Sequence, residues 1–185
     1  NAQLSPTDTE EFISWVVMMD GANWPTTGNP PFPMNYDQQQ VTVIGDICNY
    51  QGIECANGNT TLSTFEFAGS ETIQIVGEFA PICDFSVFET LQFLTLSRFD
   101  DLVGELPNVE CLSSLVSLSF SNNNLSGSVL DKGIPSLLEL GFLDLSNNAF
   151  EGNVPNIQNE SGLTTRLFNN QFDFVPESWI VFKRN

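Results

Sequence analysis

The 185-residue chain carries twenty-three acidic residues against five basic ones and no histidine, for a formal net charge of -18 at pH 7. A field of that sign repels nucleic-acid phosphates and anionic membranes, so no nucleic acid is expected as a partner. Without histidine there is no histidine-based triad, no histidine zinc site and no histidine pH switch. No apolar run approaches the ~20 residues that span a bilayer, so no direct membrane insertion is expected in this segment. Apolar residues make up 41% of the chain, enough for a folded core at this length. The charge reads as a solubility device, with an acidic ligand-binding surface as its rival.

The chain starts at Asn1 with no Met and no charged, apolar leader, as after removal of an export signal or after trimming. "SPTDTEEFISWVVMMDGANW" predicts a helix: Ser5 as N-cap, Pro6 in the first turn, and Asp8, Glu10 and Glu11 near the positive helix end. Phe12, Ile13, Trp15, Val16 and Met19 form its apolar face and Gly21 ends it. The proline-rich 25–46 segment that follows reads as a packed loop, with a partner-contacting element as the alternative. Next comes "CNYQGIEC", Cys48 to Cys55. Four cysteines, an even number, suit two disulfides in an oxidising compartment. The rival for Cys48 and Cys55 is a redox or metal site, which neither a histidine nor a second close cysteine pair supports. Candidate glycosylation sequons begin at Asn59, Asn124 and Asn159.

From residue 62 the chain repeats itself. "LVSLSFSNNNLSGSVL" (Leu115 to Leu130) aligns with "LGFLDLSNNAFEGNVP" (Leu140 to Pro155), mapping Leu118 to Leu143, Asn123 to Asn148 and Gly127 to Gly152 at one constant offset. An earlier copy, "LQFLTLSRFDDLVGELP" (Leu91 to Pro107), has an extra residue in its turn and Phe99 where the asparagine belongs. "LSTFEFAGSETIQIVGEFAP" (Leu62 to Pro81) is more degenerate, and "LTTRLFNNQFDFVP" (Leu163 to Pro176) loses the glycine. Leu-x-Leu alternation predicts a short strand with one apolar face. The asparagine marks a bend where its amide reaches the backbone of adjacent coils, and the glycine a turn that other residues resist. A single coil leaves its apolar edge exposed, so coils stack, and the period lies in the leucine-rich-repeat range of about 20–29 residues.

The form L-x-x-L-x-L-x-x-N-x-L-x-G-x-V-P resembles the plant-type extracellular leucine-rich repeats of receptor-kinase ectodomains, polygalacturonase-inhibiting proteins and related secreted algal and microbial proteins. "CNYQGIEC" is similar to the cap motif C-x-W-x-G-V-x-C of that family, with Tyr50 for Trp and Ile53 for Val. The resemblance implies an α/β solenoid: a right-handed coil of about five repeats with a parallel β-sheet on the concave face. The G-x-V-P half implies a second, short strand on the side of each coil. It further implies a helical N-terminal cap stapled by a Cys48–Cys55 disulfide. Equivalent positions on neighbouring coils stack, so Cys83 after Gly77 and Cys111 after Gly104 are expected to pair. The expected organisation is a cap over 1–61, repeats over 62–176 and a terminal capping segment over 177–185, in which Trp179, Ile180, Val181 and Phe182 cover the open end.

If the leucines point inward, the intervening residues build columns across the concave sheet. One column runs Thr64, Phe93, Ser117, Phe142, Thr164 and the next Glu66, Thr95, Ser119, Asp144, Arg166. Two more run Ala68, Ser97, Ser121, Ser146, Phe168 and Gly69, Arg98, Asn122, Asn147, Asn169. Phe93, Phe142 and Phe168 are candidate aromatic anchors, and Arg98, Ser119, Asn122, Asp144, Asn147 and Arg166 candidate polar contacts, for a protein or peptide or for cell-wall or matrix carbohydrate. The plainer alternative is that the rings pack and that Arg98 and Arg166 pair with local acids. The adjacent Asp100 and Asp101 lack the geometry of a catalytic pair, and no EF-hand, P-loop or dinucleotide fingerprint occurs. The expectation is therefore a secreted, non-enzymatic recognition module with no cofactor and no metal. The alternatives are a structural or accessory subunit docked in a larger assembly and adsorption to polysaccharide, mineral or ice.

Overall fold

A computed structural model describes residues 7, 9–12, 34–37, 40–43, 48, 52–56, 61–69, 77–78, 80–155 and 162–174. Its strands in chain order are β1 (Met34–Asp37), β2 (Gln40–Val43), β3 (Ile53–Ala56), β4 (Thr61–Ala68), β5 (Gly77–Glu78), β6 (Phe93–Ser97) and β7 (Phe99–Glu105). They continue as β8 (Ser117–Ser119), β9 (Asn123–Ser128), β10 (Phe142–Asp144), β11 (Ala149–Asn153), β12 (Thr164–Arg166) and β13 (Gln171–Phe174).

The Leu-x-Leu segments form the expected strands and stack coil upon coil. A six-stranded sheet has the order β12-β10-β8-β6-β4-β3, parallel throughout except for the antiparallel β3–β4 edge. Phe65, Leu94, Leu118, Leu143 and Thr165 share one rung across it. The second halves of the coils pair into a separate parallel sheet, β13-β11-β9-β7-β5. That lateral sheet is the second strand implied by the G-x-V-P half of the repeat. Chain returning between the sheets is short 3-10 helix at Ser86–Phe88 and Ile134–Ser136, which buries Val87, Phe88 and Ile134.

Inward-facing Leu94, Leu96, Leu118, Phe120, Leu143, Leu145, Leu125 and Phe150 are fully buried and fill one continuous core. Each such side chain contributes about 1.5–3 kcal/mol by leaving water. The bend asparagines tie this core together. Asn148 Nδ2 donates to Phe120 O of the preceding coil at 2.7 Å and to Leu145 O of its own at 3.2 Å, while its Oδ1 accepts from Leu125 N at 3.1 Å. Asn123 and Asn170 repeat the arrangement, on Leu96 O, Phe120 O and Phe99 N, and on Leu145 O, Leu167 O and Phe150 N. Gly127 and Gly152 take the left-handed φ values of 79° and 73° that the turn requires.

At the amino-terminal end residues 9–12 are helical. Phe12 is fully buried, its ring 5.7 Å from Phe65 and 6.3 Å from Phe88. Glu11, expected only to favour the helix end, has a second use: its carboxylate accepts from Ser86 Oγ at 2.9 Å and Val87 N at 2.9 Å, capping the first 3-10 helix. Ser5, Pro6, Asp8, Ile13, Trp15, Val16, Met19 and Gly21 of the expected helix lie outside the described residues. So do Asn59, Asn159 and the 179–182 segment. Within the 25–46 segment β1 and β2 form an antiparallel hairpin, Met34 opposite Val43. Both expected disulfides are present, Cys48–Cys55 and Cys83–Cys111. Gly52, inside the first of these loops at φ 91°, lies so close to the first coil that a Cβ there would strike the Glu66 carbonyl, and Glu66 N donates to Gly52 O at 2.7 Å.

Candidate functional site

The concave sheet displays the four columns in the order read from the repeat. Thr64, Phe93, Ser117, Phe142 and Thr164 are register partners, as are Glu66, Thr95, Ser119, Asp144 and Arg166. Neighbouring strands lie about 4.8 Å apart, so each column is a ladder of side chains at that spacing.

Phe142, Asp144 and Arg166 come together as one cluster on β10 and β12. The Arg166 guanidinium lies 5.2 Å from the Phe142 ring centroid, within cation–π range, and 3.6 Å from Asp144 Oδ2. The opposite oxygen, Asp144 Oδ1, accepts from Ser146 Oγ at 2.6 Å and Ser146 N at 3.0 Å. Asp144 is thus 7% exposed, covered by its neighbours and engaged through both carboxylate oxygens. Ser119, one rung away, is also 7% exposed, because the larger Thr95 and Asp144 flank it at sheet spacing and its hydroxyl lies 3.4 Å from Ser121 Oγ. The column positions of Ser119 and Asp144 therefore face the concave side without offering much surface. Arg166 remains exposed while paired.

Phe93 stands apart from this cluster at the start of β6, 38% exposed, and Phe168 just beyond β12 is 50% exposed. Between Phe93 and Phe142 the shared column carries only Ser117. The two rings therefore flank a small polar gap two rungs wide, roughly 10 Å.

The fourth column behaves differently from the other three. Arg98, Asn122, Asn147 and Asn169 all have left-handed backbone, at φ 61°, 58°, 56° and 55°. They mark the bend at which each coil leaves the concave sheet. Asn147 Nδ2 donates to Asn122 Oδ1 at 2.9 Å and Asn169 Nδ2 to Asn147 Oδ1 at 2.6 Å, an amide ladder along the rim. Asparagine tolerates this backbone because its short polar side chain bonds locally. The signal in the sequence is the doubled Asn-Asn at 122–123, 147–148 and 169–170, in which the first residue serves the bend and the second the inner, half-buried ladder. Arg98 occupies the same backbone without that aptitude, exposed and with no ion pair among the described residues.

No family model matches the sequence, and no curated protein matches it significantly. Solved structures do match. The chain is similar to the leucine-rich-repeat ectodomain of the receptor kinase SOBIR1 from Arabidopsis thaliana, with a TM-score of 0.68 at 22% identity over 99% of this chain and 90% of that one. It is similar to a chain of the BIR3–SERK2 complex from the same plant, with a TM-score of 0.60 at 26% identity over 74% of this chain and 72% of that one. A plant ice-binding protein shares the fold at a TM-score of 0.57 and 19% identity, over 92% of this chain and 58% of that one. Among the described residues no helix is long and apolar enough to cross a membrane.

Proposed function

We propose that this chain, whose fold is that of the plant-type extracellular leucine-rich-repeat ectodomains, is a secreted, non-enzymatic recognition module that binds a protein or peptide across its concave face. The observation that carries the reading is the pair of exposed rings, Phe93 and Phe168, on the same face as the Arg166-covered Phe142 and among columns made mostly of Ser, Thr and Asn. Aromatic anchors surrounded by small polar groups suit recognition, since the rings supply buried area and the polar groups adaptable hydrogen bonds. The fold shared with a chain of the BIR3–SERK2 complex supports a protein partner. The two disulfides support an oxidising, extracellular setting.

The test is affinity capture from native extracellular material by the unaltered chain and by a Phe93→Ala plus Phe168→Ala variant. A partner retained by the first and lost by the second supports the concave face. A partner bound equally by both would sink it.

A further inference from the structure

We infer that Asn124 carries an N-linked glycan, planted on the lateral sheet and clear of the concave face. The inference rests on the secretory route of the proposed function but on no particular partner. The sequon Asn124-Leu125-Ser126 lies inside β9, a strand of the parallel lateral sheet. Along that strand the two asparagines of the Asn123-Asn124 pair meet opposite fates. Asn123 is spent on the scaffold: its Nδ2 donates to Leu96 O and Phe120 O, and its Oδ1 accepts from Phe99 N. Asn124 is exposed, and its side-chain amide makes no hydrogen bond among the described residues. Leu125, the middle residue of the sequon, is buried in the core, which fixes Asn124 on the outward side of the strand by the alternation of the pleat. Ser126, which completes the sequon, is half-buried, its hydroxyl reaching Gly104 O at 3.4 Å.

The surroundings leave room for a sugar. In the preceding coil Asn124 pairs in register with Val103, beyond an irregular stretch of β7 whose Asp100 and Asp101 are exposed. On the side of the following coil the pairing begins only at Ser126, opposite Ala149, so Asn124 has no β11 residue in register beside it. Asn122, two residues earlier, has the left-handed backbone that turns the chain out of the concave sheet. A glycan on Asn124 therefore projects from the lateral face, past the bend that bounds the Phe93 and Phe142 column.

The chemistry balances with one co-reactant, a lipid-pyrophosphate-linked oligosaccharide of the secretory pathway. The Asn124 Nδ2–sugar C1 bond forms as the C1–pyrophosphate oxygen bond breaks. The lipid pyrophosphate leaves and one amide proton is lost to the transferase's base. The consequence for recognition is a division of labour between the two sheets: a glycan over the lateral sheet bars that face to a protein partner and leaves the concave one free.

The experiment expresses the full chain behind a secretory leader in a eukaryotic host. Residue 124 is read by peptide mapping before and after enzymatic deglycosylation, which converts a glycosylated Asn to Asp. Occupancy is read on intracellular and released chain alike, so poor release does not mask it. The expected result is a glycopeptide at Asn124, lost completely in Asn124→Gln and retained in Ser126→Thr, which preserves the sequon. An unmodified Asn124 in chain that carries both disulfides would overturn the glycan while leaving the secretory reading intact. A glycan that persists on the peptide spanning residue 124 in Asn124→Gln would assign that modification to another residue and overturn it equally.

Discussion

The coils at 62–107 and those at 115–155 hold the same geometry by different means. In the later pair a half-buried amide at each bend, Asn123 or Asn148, bridges its own coil to the one before. In the earlier pair that amide is absent from the second coil: Phe99 occupies the position, fully buried, with its ring against Gly69. Around it the core is aromatic, with Phe65 5.0 Å from Phe67 and 6.3 Å from Phe88, and with Phe12 of the cap completing the cluster. The rung alignment is unbroken across the change, since Phe65, Leu94, Leu118 and Leu143 remain register partners. A parallel coil thus needs its bend filled and its neighbours spaced. Ring area or amide bonding each meets that need.

The largest test of this contrast is Phe99→Ala. Removing a fully buried ring is expected to cost about 3–5 kcal/mol, read as a lowered urea midpoint with unchanged slope. A loss below 1 kcal/mol would show that the ring is dispensable and the contrast false. Asn148→Ala attacks the ladder instead, taking from Leu125 N its side-chain acceptor and from Phe120 O one of its two amide donors. The expected loss is about 2–3 kcal/mol, with amide exchange at Leu125 accelerated more than that at Leu94. A uniform rise in exchange along the solenoid would contradict a local ladder.

Arg98→Asn works at the junction of the two regimes. It replaces a long side chain in left-handed backbone by the residue its column uses elsewhere, and Asn122 then gains an amide neighbour on that side. A stabilisation of about 1 kcal/mol is expected, measured by thermal unfolding. Destabilisation would mean that Arg98 makes a contribution the backbone argument overlooks.

The smallest effect belongs to an exposed pair outside both regimes. Lys132 Nζ lies 2.6 Å from Glu105 Oε2, and this hydrogen bond, followed by the charge attraction, holds the Glu105 carboxyl below its ordinary value of 4.5. A depressed carboxylate stabilises the fold above the unfolded pKa, and the contribution is lost as pH falls through the lower folded value. Because the pair is exposed the stability change is slight. Lys132→Gln should move the Glu105 NMR titration midpoint upward with little change in melting temperature, and an unmoved midpoint would dismiss the pairing in solution.

Much of the fold was legible because the repeat writes its physics at fixed offsets. Leu118 and Leu143 announce the strand, Asn123 and Asn148 the bend amide, and Gly127 and Gly152 the turn, and each has the environment its chemistry demands. Both disulfides were legible too, one through the cap motif and one through stacking of equivalent positions. The candidate surface was legible as columns and less so as exposure. Facing follows from strand alternation, whereas the covering of Asp144 and Ser119 depends on what stands on adjacent strands. The rim role of Asn122 and Asn147 depends on a backbone dihedral that no alternation rule supplies. The dual use of Glu11 depends on a partner 75 residues away.

The shared rung has one further consequence, for how such a chain changes length. Every coil from β6 to β11 meets its predecessor and successor through the same register and the same kind of bend amide or ring. Excising the coil between Leu118 and Leu143 would bring the Leu94 strand against the Leu143 strand, with Leu96 O facing the Asn148 amide in place of the Asn123 one. A whole coil is therefore a unit this molecule can gain or lose with its rungs intact. Changes of a few residues are taken up in the chain between strands, since rung partners lie 29, 24, 25 and 22 residues apart in successive coils and stay aligned.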